Sequence, residues 1–284
     1  MLLRVGFELR FQVPHDVVVV ALLRPHPTRT GDVRPSDGLL VKPLDGPLVP
    51  HLDGFGNLAD RFVARAGEVV LTSDLLVDDH GRPDPVAPDV GACPVADLPV
   101  EDLVFLLPSR YCEVDLMGDT AWSRFGHLRP GWSTVQAICD WVHAELTYGY
   151  EHARPTMTAV DALDARAWVC RDLQHLAITI CRCLNIPARY VSGWLGDIGI
   201  EPVDTPMDFH AWFEVRLADG WYAFDARHNV PRAGRVAMAK GRDAADVAFT
   251  TAFGAAPLTG FRVWADEEPP GWGRIPFVGC RGEP

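Results

Sequence analysis

Cys170 is the residue whose type and position most directly suggest covalent chemistry. It opens the segment CRDLQHLAITICRCLN, whose apolar residues recur at helical spacing, so a helix is predicted to begin at the cysteine. A thiol at a helix N-terminus faces free backbone N–H groups and the positive end of the helix dipole, which favour the thiolate. The same N–H groups could hold the oxyanion of a tetrahedral intermediate. Alternatively, Cys170 is simply a small buried apolar residue, which is how we interpret the other six cysteines.

His210 and Asp225 are the residues that could make this thiol a nucleophile. His210 opens the strand-like run HAWFEV, and Asp225 ends the run WYAFD. The sequence LADGW between the runs predicts a tight hairpin, which places both side chains at the same end of it. The carboxylate could then orient the imidazole and leave its other nitrogen facing the thiol. Taken singly, each residue is more often structural, as a half-exposed strand histidine and as a turn or cap carboxylate.

Three helices followed by strands are predicted to position these residues. The first helix is GWSTVQAICDWVHAELTY, where Ser133 and Gln136 form a capping-box pattern. The second is TMTAVDALDAR, with Thr158 as its N-cap, and the third runs from Cys170 to Asn185. The runs ARYVSGWL, HAWFEVRL and GWYAFDAR then predict an antiparallel sheet. Helices followed by such a sheet indicate an α+β fold.

The first hundred residues have a different character. The run FELRFQV alternates between apolar and polar residues, and RFVARAGEVVLTSDLLV contains two further strand-like runs separated by turn residues. Residues 81–94 are rich in proline and glycine, which indicates a linker or a long surface loop. We therefore predict a β-rich N-terminal domain at 1–105 and a catalytic domain at 106–284.

Composition limits the partners and the compartment. The chain has 284 residues, is 48% hydrophobic and carries a net charge of −12, which indicates a globular protein without a nucleic-acid or membrane partner. The N-terminus MLLRVGFELRFQV lacks the pattern of a signal peptide, and the run DVVVVALL is too short to span a bilayer. Seven irregularly spaced cysteines predict no disulfide framework, so we expect a cytoplasmic protein. The sequence contains neither a CxxC pair nor HExxH, so no metal or other cofactor is expected.

Three segments together resemble the bacterial transglutaminase-like family, which belongs to the papain-like cysteine enzyme superfamily. They are VCRDLQHLAITICRCLNIPARYVSGW, MDFHAWFEVRLADGWYAFDARHN and GRDAADVAFTTAFG. The resemblance covers roughly residues 120–265, and the N-terminal strands with DGFGN resemble the domain that accompanies this core. It implies a papain-like core of helices packed on an antiparallel β-sheet. By the resemblance, Cys170 is the nucleophile, His210 the general base and then acid, and Asp225 the orienting carboxylate.

The sequence departs from the family pattern at two positions beside the proposed triad. Trp168 stands where members often have glycine, and Ala226 stands where they often have proline. The indole of Trp168 could narrow the substrate cleft or simply pack. Related enzymes use an aromatic group upstream of the cysteine as a second oxyanion donor, for which Tyr148 and Tyr150 are the candidates; packing in the core or at the rim is the alternative for both. Animal members bind calcium in outlying loops, but this sequence has no carboxylate-rich loop of that kind.

The resemblance leaves three functions open. The first is a peptidase or amidase that cleaves a peptide or protein amide through a thioester and is favoured because the sequence gives no sign of a water-excluding tunnel. The second is a transglutaminase or amide-forming acyltransferase, in which an amine replaces water. The third is a non-catalytic binding module on the same fold, which is disfavoured because all three triad residues are present.

Overall fold

Two antiparallel sheets use strands from both ends of the chain. The computed structural model describes residues 1–145, 147–148, 154–165, 167–201 and 206–269. The strands of these two sheets are β1 (Leu2–Val13), β2 (Val17–Ala21), β3 (Leu40–Lys42), β4 (Val49–Leu52), β5 (Leu58–Ala64), β6 (Gly67–Asp78), β13 (Thr250–Ala252) and β14 (Leu258–Glu268). Their orders are β14-β1-β6-β3 and β13-β2-β5-β4. The predicted alternation holds along β1, where Leu3, Val5, Phe7 and Leu9 are buried.

Four helices pack with a third antiparallel sheet. The helices are α1 (Val114–Phe125), α2 (Trp132–Glu145), α3 (Ala159–Ala165) and α4 (Cys170–Cys183). The strands are β9 (Ala188–Trp194), β10 (His210–Arg216), β11 (Trp221–Phe224) and β12 (Val236–Gly241), in the spatial order β11-β10-β9-β12. Two short parallel strands, β7 (Thr147–Tyr148) and β8 (Ala167–Trp168), precede α4. The predicted α+β class and the β-rich N-terminal region are therefore confirmed.

Helix α4 lies at the centre of this layer and contacts the other three helices as well as β9 and β10. Its apolar positions, including Leu176, Ala177 and Ile180, are fully buried. Asn185 ends the helical segment with a left-handed backbone at φ 59°, a conformation that asparagine tolerates better than most residues. The consecutive residues Asp172, Leu173, Gln174 and His175 are buried as well, so the start of α4 is also packed on several sides.

Of the two predicted helix caps, the structure contains the one at Thr158 but not the one at Ser133. Thr158 caps α3 as expected: its Oγ1 accepts a hydrogen bond from the Asp161 N–H at 3.2 Å, and Asp161 Oδ2 accepts from the Thr158 N–H at 3.1 Å. The prediction of a capping box at Ser133 was wrong, because α2 already begins at Trp132. The Ser133 hydroxyl instead donates to the carbonyl of Pro88 at 2.8 Å, a contact between distant segments that the local pattern does not contain.

The β-rich region and the third sheet share a hydrophobic core. Trp194 at the end of β9 is fully buried and donates its indole N–H to the carbonyl of Gly6 at 3.2 Å. Phe209, the residue before His210, lies 5.8 Å from the rings of both Phe7 and Trp194. The N-terminal sheet therefore supports the start of β10 directly. The domain boundary at residue 105 stays a prediction.

Within the described residues, no helix is both long and apolar enough to cross a bilayer. The cytoplasmic location stays a prediction.

Candidate active site

Cys170 is the first residue of α4. The preceding Val169 has an extended backbone, with φ −112° and ψ 169°, so the helix begins directly at the cysteine. Asp172 supports this start: its Oδ2 accepts a hydrogen bond from the Val169 N–H at 3.4 Å, and its own N–H donates to the Val169 carbonyl at 3.0 Å. Ahead of Asp172, the first N–H groups of the helix have no acceptor within the helix, so they are suited to bind an anion. The side chain of Cys170 lies outside the described residues.

His210 and Asp225 are brought together by the β10–β11 hairpin, as the sequence predicts. The antiparallel pairing runs from Arg216↔Trp221 to Phe213↔Phe224, and the turn is closed by the Leu217 N–H donating to the Gly220 carbonyl at 2.8 Å. Beyond the paired strands, His210 Nε2 lies 2.7 Å from Asp225 Oδ2. Both side chains are buried, so this hydrogen bond is shielded from water.

The charge state of the pair follows from its surroundings. Burial by itself would raise the pKa of Asp225, but His210 and the guanidinium of Arg235 hold this pKa far below its ordinary range. Burial lowers the pKa of His210, against the opposing effect of Asp225. At neutral pH Asp225 is therefore an ionised acceptor and His210 a neutral imidazole. Since an ionised carboxylate can only accept, Nε2 carries the proton and Nδ1 is left as the basic nitrogen.

The other oxygen of Asp225 is surrounded by donors. Oδ1 accepts hydrogen bonds from Gln174 Nε2 at 3.0 Å and from the backbone N–H groups of Arg227 at 3.0 Å and His228 at 3.3 Å. Gln174 Oε1 in turn accepts from the Ala226 N–H at 3.2 Å, a donor that proline at this position would lack. Gln174 was not predicted from the sequence. Its signal is a polar residue on the otherwise apolar face of α4, one turn after Cys170.

A second support for Asp225, formed by Arg235 and the loop at residues 81–94, was not predicted from the sequence. The Nε of Arg235 donates to Asp84 Oδ2 at 2.9 Å, and its Nη1 lies 3.6 Å from Asp225 Oδ2. Asp84 also accepts from the backbone N–H of Arg232 at 3.0 Å. The predicted surface loop is thus anchored beside the catalytic candidates through a contact that spans 151 positions.

His228 raises the question of a metal site, because ligand atoms of His210, Asp225 and His228 lie within 4.8 Å of one another. A cation bound there would share Asp225 Oδ2 with the guanidinium of Arg235, at 3.6 Å, and would displace the His210 hydrogen bond. The cluster therefore fits an imidazole–carboxylate pair better than a metal centre. Burial lowers the pKa of His228 to about 4, so it is a neutral neighbour of His210.

The candidate cleft residues are placed only in part. Tyr148 and Trp168 are opposite each other in the parallel pair β7–β8, which ends two residues before Cys170. Their side chains, like all of Tyr150, lie outside the described residues. Their roles in binding the oxyanion or lining the cleft stay predictions.

Comparison with known proteins agrees with this architecture. The family model of the transglutaminase-like superfamily matches residues 125–226, a range that contains Cys170, His210 and Asp225. The solved structure of a candidate cysteine protease from Cytophaga hutchinsonii is 30% identical and superposes with a TM-score of 0.80 over 96% of this chain and 94% of that chain. An uncharacterised protein of Mycobacterium leprae (strain TN) is 28% identical over 146 residues, so that the match spans 50% of this chain and 52% of the relative. The chain belongs to the transglutaminase-like superfamily.

Proposed function

We propose that the protein is a cysteine-dependent enzyme that cleaves a peptide or protein amide through a thioester on Cys170. The observation that carries this proposal is the buried hydrogen bond of 2.7 Å between His210 Nε2 and Asp225 Oδ2. It makes Nδ1 the basic nitrogen of a neutral imidazole. Further support comes from the position of Cys170 at the N-terminus of α4, where a thiolate and an oxyanion are both favoured.

The first half-reaction would form the acyl-enzyme. His210 Nδ1 takes the thiol proton of Cys170 as Sγ attacks the amide carbonyl carbon. The N–H groups at the start of α4 hold the oxyanion of the tetrahedral intermediate. The C–N bond then breaks, and the imidazolium gives its proton to the departing amine, which leaves a thioester. Asp225 stays ionised throughout and stabilises the imidazolium.

The second half-reaction would be hydrolysis. His210 removes a proton from water, whose oxygen attacks the thioester carbonyl, and the C–S bond breaks to release a carboxylic acid. The proton returns to Sγ, so the enzyme ends as it began. The candidate cysteine protease that is 30% identical to this chain supports water as the acceptor. An amine acceptor would give transamidation through the same acyl-enzyme, and it is the competing outcome of the experiment.

The test has two stages. The first is brief iodoacetamide labelling between about pH 5 and pH 9, followed by intact-protein mass spectrometry of wild type, Cys170→Ala and His210→Ala. We expect one fast adduct that is absent in Cys170→Ala, persists below the ordinary thiol pKa of about 8.5, and loses this low-pH reactivity in His210→Ala. The second stage incubates the protein with casein in ¹⁸O-labelled water, with and without an added primary amine.

The products decide between the acceptors. New carboxyl groups that carry ¹⁸O and are absent with Cys170→Ala would establish hydrolysis, whereas incorporation of the amine would establish transamidation. Slow labelling of Cys170, no faster than that of the other cysteines, would refute the activated nucleophile. A binding module on this fold would then be the better interpretation.

A further inference from the structure

Gln174 connects the helix that carries Cys170 to the carboxylate of Asp225. Its side chain is fully buried and makes two hydrogen bonds across the gap between α4 and the end of β11. Nε2 donates to Asp225 Oδ1 at 3.0 Å, and Oε1 accepts from the Ala226 N–H at 3.2 Å. Gln174 follows Cys170 by four residues, so the two positions lie on the same face of α4, one turn apart.

The backbone ladder does not set the position of Asp225 relative to α4. The pairing of β10 with β11 ends at Phe213↔Phe224, one residue before Asp225 and three residues after His210. The carboxylate is therefore oriented by its own hydrogen bonds. Of the three donors to Oδ1, the N–H groups of Arg227 and His228 belong to the same turn as Asp225 and move with it. Gln174 is the donor that comes from α4.

We infer that Gln174 is a positioning residue that aligns the His210–Asp225 pair with Cys170. This inference rests on the proposed cysteine chemistry. The amide suits the task because one end donates and the other accepts, which fixes both the carboxylate and the backbone next to it. With Oδ1 held by Gln174, Oδ2 is directed at His210 Nε2, and the ring presents Nδ1 toward the nucleophile.

Two substitutions separate this role from ordinary core packing. Gln174→Met keeps most of the volume but removes both hydrogen bonds. Gln174→Glu keeps the shape, and its protonated form can still donate to Asp225 and accept from the Ala226 N–H. Once ionised, the introduced carboxylate would face that of Asp225, which is unfavourable at this distance. The matched control is Thr179→Val, which removes a different buried hydrogen bond of α4, from Thr179 Oγ1 to the His175 carbonyl at 2.7 Å.

The readout is the rate of iodoacetamide labelling of Cys170 in the full chain across the pH range, beside the urea midpoint of each variant. We expect Gln174→Met to label about tenfold or more slowly than wild type below neutral pH, because losing a hydrogen bond to a charged group has an effect of about this size. Gln174→Glu should label at close to the wild-type rate at the acidic end and fall progressively behind as pH rises. Thr179→Val should retain the wild-type pH profile.

Two outcomes would overturn the inference, and they are distinguishable. If wild-type Cys170 has low-pH reactivity and both Gln174 variants keep the same profile while only their urea midpoints fall, Gln174 is merely structural. If wild-type Cys170 itself labels like an ordinary thiol, the proposed function fails and the inference fails with it. Should Gln174→Met not fold, the pH-dependent deficit of Gln174→Glu decides, because its absence would contradict the role.

Discussion

His210 lies directly opposite Gly193 in the antiparallel ladder between β10 and β9, at a point where no side chain fits. A Cβ on Gly193 would overlap the carbonyl oxygen of Val236 on β12 and would approach the Trp212 ring to 2.8 Å. The neighbouring strand therefore sits unusually close to the strand pair that carries the proposed base. Trp212, whose ring borders this point, lies on the same strand as His210, two residues further along.

Gly193→Ala should damage both the fold and the site. Strand β12 or the Trp212 ring must move to admit the methyl group, and such overpacking costs about 1–3 kcal/mol in the free energy of unfolding. We also expect slower iodoacetamide labelling of Cys170. Urea unfolding checks the first effect. The matched control is Gly220→Ala in the β10–β11 turn, where a Cβ would meet nothing within 4 Å. Equal stability of the two variants would contradict the packing argument.

Asp225→Asn should abolish the correct imidazole tautomer. Three N–H donors surround Oδ1, so the asparagine must turn its carbonyl oxygen toward them and its NH₂ group toward His210. Nε2 then has to accept, which leaves the proton on Nδ1, where the base should be. We expect the labelling rate of Cys170 at neutral pH to fall by about 10²- to 10⁴-fold, the range of general-base catalysis. The ¹⁵N shifts of His210 report the tautomer, and an unchanged tautomer would refute the argument.

Much of the local structure could be predicted because it is encoded in short patterns. The apolar spacing after Cys170 predicts a helix that the structure places at Cys170–Cys183, and LADGW predicts the hairpin that brings His210 to Asp225. Thr158 caps its helix because its hydrogen-bond partner, Asp161, lies within the same turn. Each of these features depends on residues fewer than about 20 positions apart, where turn chemistry and periodicity suffice.

The missed features are contacts between distant segments. Asp84 reaches Arg235 across 151 positions, and Ser133 bonds Pro88 instead of its own helix end. The strand β14 pairs with β1, although these strands lie at opposite ends of the described chain. No local periodicity records such partners. Gln174 is intermediate, since its polar side chain on a buried helix face could have been noticed, but its partner Asp225 is set by the fold.

Arg182→Lys should strongly destabilise the fold. Arg182 is buried and donates to the carbonyls of Ala188, Leu107 and Arg242 and to the Ser109 hydroxyl, so it joins the end of α4 to three other segments. Lysine has three donors on one nitrogen and cannot reach this set of acceptors. We expect a loss of about 3 kcal/mol or more in the free energy of unfolding, because several buried carbonyls lose their partners. The control is Arg61→Lys, at an exposed position. Its free energy of unfolding should stay within about 0.5 kcal/mol of the wild-type value.

His26 should make the protein less stable in mild acid. The side chain is buried, and its Nδ1 accepts a hydrogen bond from the Thr28 N–H at 3.2 Å, which requires the neutral ring. Burial, aided by Lys240 and Arg189, lowers the pKa of His26 to about 4. In the unfolded chain the pKa is about 6.5, so between these values the unfolded state binds the proton and the native state does not.

The stability that neutral His26 contributes is therefore present above about pH 6.5 and is lost as pH falls toward 4. At pH 5 the loss relative to pH 7 should be about 1–2 kcal/mol. His26→Asn keeps an acceptor for the Thr28 N–H but cannot titrate. Urea unfolding at pH 7 and pH 5 should show a smaller drop in the free energy of unfolding for the variant than for wild type. Because the other buried histidines are common to both proteins, an identical drop would mean that His26 is not the group that takes up the proton.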